Sequence, residues 1–388
     1  MIKLTGQYLE NIFFVITTFV FFPYFYIISF LNKFKRKENL KILIIHTAKI
    51  GDLVCGTPLF REIKKKYPNS YLAVLVLSFA KGIIKNNPHI DEIISIDHEK
   101  LNGINNKIKL IKKIGRKKFN WSFSLLPEIL SNIIPFWAGI PNRVATVSKD
   151  VTRGVKILSV FNNYTLEYKR HTLALKHYLK LLNFIGIKKT SQKKEIFTTE
   201  AQNKKADDFL EKHNLKNNDF LVGISITAGN EFKEWLPERF AQLADKLVQK
   251  LDAKIIFTGS IKDKQIINKV QSMMNQKSIN SSSFFNLSEV PALFKYFKIF
   301  ISVDTGSLYI ANAMNVPVVD ITGPVDIHEQ PPIGKKCEIV RKDISCSPCS
   351  FMIPPARFCE QGHRKCIESI LVDDVFEAVL NLVNKYVK

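Results

Sequence analysis

Asp304, Thr305 and Gly306 put a carboxylate, a hydroxyl and a glycine in consecutive positions, directly after the apolar run IFISV. The residues that follow, SLYIANAMN, read as a helix, and VPVVDITGP as a second strand and a second glycine turn. A turn that leaves a strand and opens a helix presents free N–H groups and the positive end of the helix dipole, a setting suited to phosphate. Gly306 would let the backbone come close to such a ligand. The plain alternative is an ordinary strand-to-helix turn with Asp304 as its N-cap. Asp52 follows the strand KILIIH in a loop at its carboxyl end, where a carboxylate could act as a general base or cap a helix. Lys233 could offset charge on a leaving phosphate or simply be a surface lysine.

Cysteine supplies another candidate. Five of the six cysteines lie after residue 336, and Cys346, Cys349, Cys359 and Cys366 form C-x2-C-x9-C-x6-C. Four thiols at this spacing could hold a structural zinc, form two disulfides or remain reduced in a packed loop. A cytoplasmic setting disfavours the disulfides.

These residues need elements to position them. KILIIH (41–46), YLAVLVL (71–77), EIISI (92–96) and WSFSLL (121–126) read as strands. Thr57-Pro58 reads as a cap and first residue of a helix whose apolar face is Leu59, Phe60, Ile63 and Tyr67. Segment 127–170 is less regular and carries isolated positive charges at Arg143, Lys149, Arg153 and Lys156. After the polar stretch 188–207, read as a linker, the pattern repeats. FLVGISI (220–226) precedes a loop with Thr227, Gly229 and Lys233. A helix from Pro237 then presents Phe240, Leu243, Ala244 and Leu247, and KIIFT (254–258) follows. Two strand-loop-helix series predict two Rossmann-like α/β domains, at 37–195 and 196–370, with a terminal helix over 371–388. Asp263, past the second strand of the later series, sits where such folds read a ribose.

The ordered set Ile50-Gly51-Asp52 with Thr57-Pro58, then Lys233-Glu234-Trp235-Leu236-Pro237, then Asp304-Thr305-Gly306 resembles glycosyltransferase family 9, the lipopolysaccharide heptosyltransferases. The resemblance covers roughly residues 40 to 370. It implies a GT-B fold, with an acceptor-binding and a nucleotide-sugar-binding domain facing a central cleft. It implies an inverting transfer without a catalytic metal, from an ADP-heptose-like donor to an anionic inner-core lipopolysaccharide acceptor. The resemblance makes Asp52 the base and Lys233 a phosphate contact. Gly51, Thr227, Gly229, Asp263, Asp304, Thr305, Gly306 and Tyr309 then join Lys233 in donor binding. Similar enzymes often carry His where this chain has Tyr309, whose hydroxyl can donate to phosphate but cannot be cationic. Their HPGA-like loop appears here as Ser225-Ile226-Thr227-Ala228-Gly229. A different nucleotide sugar or acceptor, or an inactive nucleotide-binding scaffold, are the alternatives.

The chain has 388 residues, 46% hydrophobic content and a formal charge of +22. This suits nucleic acid, anionic membrane or phosphorylated substrate, or is a plain Lys- and Asn-rich compositional bias, since Lys is scattered throughout. No interleaved aromatic and basic motif points to nucleic acid, and no G-x-G-x-x-G follows a strand. Residues 12–31, IFFVITTFVFFPYFYIISFL, carry no charge and are followed by Lys33, Lys35, Arg36 and Lys37. Twenty such residues can span a core of ~30 Å, and the basic flank would lie in the cytoplasm. Pro23 would kink a span or break it into a re-entrant hairpin; a buried core helix is the soluble alternative. Residues 1–36 therefore read as a separable inner-membrane anchor, with the catalytic domains on the cytoplasmic side.

Overall fold

The structure is a computed structural model and describes residues 2–34, 39–97, 103–216 and 218–387. Two compact units emerge. The first comprises residues 1–49, 56–81 and 87–192; the second comprises 193–388 together with 50–55 and 82–86.

The first unit holds β1 (Lys41–His46), β2 (Tyr71–Leu77), β3 (Glu92–Ile96), β4 (Trp121–Ser124), β5 (Asn142–Val147) and β6 (Tyr164–Glu167), in the order β3-β2-β1-β4-β5-β6. The second holds β7 (Leu221–Ser225), β8 (Lys254–Phe257), β9 (Ser278–Asn280), β10 (Ile299–Val303), β11 (Val318–Ile321) and β12 (Cys337–Val340), in the order β12-β11-β10-β7-β8-β9. The ladders are parallel. Both sheets thus follow one doubly wound order, reversing between β1 and β4 and between β7 and β10. The central strands are buried beyond their first residue in β1 and β4, and completely in β7 and β10. That is why they read as continuous apolar runs rather than alternating ones. In the second unit, Phe240, Leu243, Ala244 and Leu247 of the helix Pro237–Leu251 pack with Val222, Ile224 and Ile301 of the sheet.

Several expectations need correction. The segment 127–170 contains two strands, β5 and β6, and the helix Glu200–Lys212 starts inside the stretch read as a linker, closed by a Thr199–Gln202 capping box. Thr57-Pro58 is not a helix start. That helix runs Ile50–Lys66, so Gly51 and Asp52 form its first turn. Asp52 there lies at the end where the helix dipole favours negative charge. Arg143, read as one of several isolated positive charges, is buried; its guanidinium donates to Phe161 O at 2.8 Å, Ser29 Oγ at 2.7 Å and Ile140 O at 2.6 Å.

The N-terminal segment is two helices, not one: α1 (Ile2–Val20) and α2 (Phe22–Phe34). Their apolar stretches meet at a bend of 69°, and among the described residues no single helix is long and apolar enough to cross a bilayer. Pro23 lies in the first turn of α2, where its missing N–H is tolerated, but it cannot continue α1. The pair is not a separable appendage. Phe14 is fully buried among Phe136, Ile133 and Phe161 of the first unit. Trp137 Nε1 donates to Thr18 Oγ1 at 2.9 Å and stacks on Phe25. Ser29 Oγ donates to Ile140 O at 3.2 Å and Asn32 Nδ2 to Gly139 O at 2.9 Å. The flanking Lys35, Arg36 and Lys37 lie outside the described residues.

Candidate functional site

The second unit concentrates the candidates where its strand order reverses. The carboxyl end of β7 leads into Ser225–Gly229, and that of β10 into Asp304-Thr305-Gly306, with the helix Gly306–Ala313 following at once. A cavity of about 680 Å³ lies here, lined by Thr227 and Gly229 after β7, Gly259 and Asp263 after β8, and Thr305 and Gly306 after β10. Open α/β sheets bind ligands at this switch point, outside the carboxyl ends of the strands. Thr305 is the N-cap, in place of Asp304, and its hydroxyl makes no cap bond. Asp263 Oδ2 accepts from Ser260 N and Oγ, both at 2.6 Å, and so shapes the turn that borders the cavity.

Five predicted residues form a second, more buried group. Lys233 ends the short turn Glu231–Lys233, and the loop before it is closed by Ala228 N donating to Glu234 at 2.8 Å. Trp235 is buried beyond it, its Nε1 donating to Ile370 O at 3.0 Å. Lys233 Nζ meets Asp304 Oδ2 at 2.7 Å. Burial pulls the ammonium down, but Asp304, with Asp52 and Asp320 behind it, outweighs that and holds Lys233 above its usual range. Tyr309 Oη lies 2.5 Å from Asp304 Oδ1 and 2.6 Å from Gln330 O. The Tyr309 hydroxyl is thus engaged within the protein. Burial, then Asp304 and Asp320, push Tyr309 well above its ordinary value, so it stays a neutral phenol. The N-terminal turn Ile50–Cys55 packs against this group. A Cβ on Gly51 would come within 2.7 Å of the Tyr309 ring, and one on Gly306 within 2.9 Å of Ile50. Glycine at both positions is a condition of that approach.

Residues without a sequence signal complete the group. Asp320 on β11 is buried and its Oδ1 has no hydrogen-bond partner among the described residues; burial first, then Asp304, drive its carboxyl well above the usual range, with Lys233 opposing. Lys194 is buried, donates to Asn312 Oδ1 at 2.9 Å and lies 5.1 Å from the Tyr309 ring centroid. Around the cavity, Phe284 and Phe285 sit beneath Lys205, which pairs with Glu289 at 2.6 Å. The run SSSFFN, aromatic between polar residues, was the available hint.

Cys346, Cys349, Cys359 and Cys366 line a separate small cavity with His363 and Arg364. The cysteines are free thiols, not disulfides. Cys359 Sγ donates to His363 O at 2.6 Å. Burial, and then the neighbouring cysteines, push Cys366 up to about 11. Among the described residues, no three His, Cys, Asp or Glu side chains are arranged to hold a metal ion.

The model of glycosyltransferase family 9 (heptosyltransferase) matches residues 107–354, more than half of the chain. The chain belongs to this family. It is a glycosyltransferase. Relatives include lipopolysaccharide heptosyltransferase 2 of Escherichia coli, 24% identical over 78% of this chain and 88% of that protein. Another is lipooligosaccharide heptosyltransferase 2 of Haemophilus ducreyi, 25% identical over 78% and 88%. Among solved structures, a family 9 transferase from Veillonella parvula superposes with a TM-score of 0.76 at 22% identity, over 90% of this chain and 99% of that one. ADP-heptose lps heptosyltransferase II of E. coli gives 0.71 at 20%, over 89% and 99%. An E. coli heptosyltransferase solved with ADP-2-deoxy-2-fluoro heptose gives 0.66 at 14%, over 88% and 99%. These likenesses establish the fold: the transferase has two Rossmann-like units of GT-B type.

Proposed function

We propose that this transferase moves a heptose from an ADP-sugar to an inner-core lipopolysaccharide acceptor, with inversion and without a catalytic metal, at the cytoplasmic face of the inner membrane. The observation that carries the reading is the switch-point cavity of the second unit, lined by Thr305 and Gly306 at a helix N-terminus, with the half-buried Lys233–Asp304 pair directly before them in a family 9 fold. The names of the relatives support the choice of sugar, nucleotide and acceptor class.

In this reading the second unit binds the donor and the first binds the acceptor. The diphosphate lies at Thr305, Gly306 and the following helix start, with Lys233 taking up the charge that grows on it as the sugar leaves. Thr227 and Gly229 border it. Asp263 accepts from the ribose hydroxyls and Asp304 from the sugar. Tyr309 acts by holding Asp304 rather than by touching phosphate. Asp52 takes the proton from the acceptor hydroxyl; that oxygen attacks the anomeric carbon, and the bond to the diphosphate oxygen breaks with its electron pair. The four thiols are chemically suited to a structural zinc, which would order the loop 346–366 and stand outside the chemistry. Cys359 would have to turn from His363 O to join such a site.

Thermal-shift measurements with ADP, UDP and GDP, followed by transfer assays with ADP-heptose, test the reading. Stabilisation by ADP over the others, with turnover that Asp52→Asn lowers ~10²-fold while ADP binding persists, is the expected result. Preference for UDP or GDP overturns the donor, ADP binding without transfer supports the inactive scaffold, and a strict Mg²⁺ requirement overturns the metal-free mechanism.

A further inference from the structure

The bent pair α1–α2 buries one face and exposes the other. On the inner face, Phe14, Thr18 and Ser29 are buried against the first unit. On the outer face, Ile16, Phe19, Tyr24, Ile27, Phe30 and Leu31 are each at least half exposed. A continuous apolar surface of this kind marks an interaction site. Its border is basic. Lys33 is exposed at the end of α2, and the helix Arg153–Ser159, which packs against α1, exposes Arg153 and Lys156.

We infer that this face is a monotopic docking surface, lying in one leaflet of an anionic bilayer. A transmembrane span is incompatible with the contacts at its two ends. Near one end, Glu10 pairs with Lys107 and accepts from Gly103 N; near the other, Asn32 bonds Gly139 O. Both ends are held by the same unit, so the residues between them cannot pass to the far side. Tyrosines on the exposed face suit the headgroup level, where an apolar ring and a polar tip are both accommodated. The cations favour acidic headgroups. A second copy of the chain is the poorer occupant, because symmetric pairing would bring like-charged borders together. The inference extends the membrane location proposed above, but vesicle binding reads it without donor or acceptor. A failure of sugar transfer and a failure of docking are therefore told apart.

The test is flotation of the full chain with phosphatidylcholine vesicles, with and without phosphatidylglycerol. Binding should favour the anionic vesicles, and Ile27→Glu with Phe30→Glu should lower it by about ten-fold or more at unchanged Tm. Because these two side chains are 54% and 50% exposed, the fold should tolerate the change. Arg153→Glu with Lys156→Glu should remove the anionic preference while leaving the apolar face intact. In sealed vesicles bearing the chain on their outer surface, an N-terminal epitope should be digested by external protease. Protection of that epitope would mean a span. Absence of vesicle binding, equal binding to both vesicle types, or dimerisation abolished by Ile27→Glu would each overturn the inference.

Discussion

Lys233 and Asp304 are each less than one-fifth exposed, so removing either partner strands the other in a poorly hydrated place. Lys233→Ala should therefore weaken ADP binding and turnover and also lower stability, by up to about 3 kcal/mol. Adding Asp304→Asn should restore much of the stability and none of the activity; denaturant melts of both variants and of the double variant measure the coupling. Asp320 gives a pH signature. Unfolded, it titrates near 3.8; folded, burial and Asp304 hold it well above that. Between the two values the folded chain keeps a proton that the unfolded chain has lost, so this group's contribution to stability is fully present below about 3.8 and is lost as pH rises through the folded value. Asp320→Asn cannot lose that proton, and its Tm should fall less steeply than the wild type's as pH rises above 4. An unchanged slope would show that Asp320 is ionised in the folded chain.

At the scale of elements, the first turn of the helix Ile50–Lys66 meets Tyr309 so closely that a methyl group has no room. Gly51→Ala should cost about 1–3 kcal/mol by overpacking, and Tyr309→Leu in the same chain should recover part of it, read by thermal melts. The elements differ in how plainly the sequence announces them. The strands KILIIH and IFISV are buried on both faces and show as unbroken apolar runs. β5 hides because NRVATV carries an arginine whose partners come from 2 to 114 residues away, and β6 because YTLE is an exposed edge strand. β9 has three residues. The site divides in the same way. Asp52, Lys233 and Asp304-Thr305-Gly306 stand in local motifs that a reader can find. Asp320, Lys194 and Gln330 belong to the same constellation through tertiary packing, which leaves no spacing to recognise.

For the whole molecule, the burial of Phe14 and the bonding of Arg143 to Ser29 make residues 2–34 part of the first unit's fold. Deleting them would uncover Phe136, Trp137 and Phe161 and take away one partner of a guanidinium whose burial pulls it down to about 10. The truncated chain should aggregate or melt well below the full chain, whereas Ile27→Glu should not; scanning calorimetry compares them. On the bilayer surface proposed above, the two ties, at Glu10 and Asn32, have a kinetic meaning as well. An enzyme on a loose leash samples a volume of solution above the lipid. A clamped one keeps a fixed tilt and height, and searches by sliding in two dimensions. Its rate should then follow the mole fraction of acceptor in the surface, not the bulk concentration, and fall as inert lipid dilutes the acceptor.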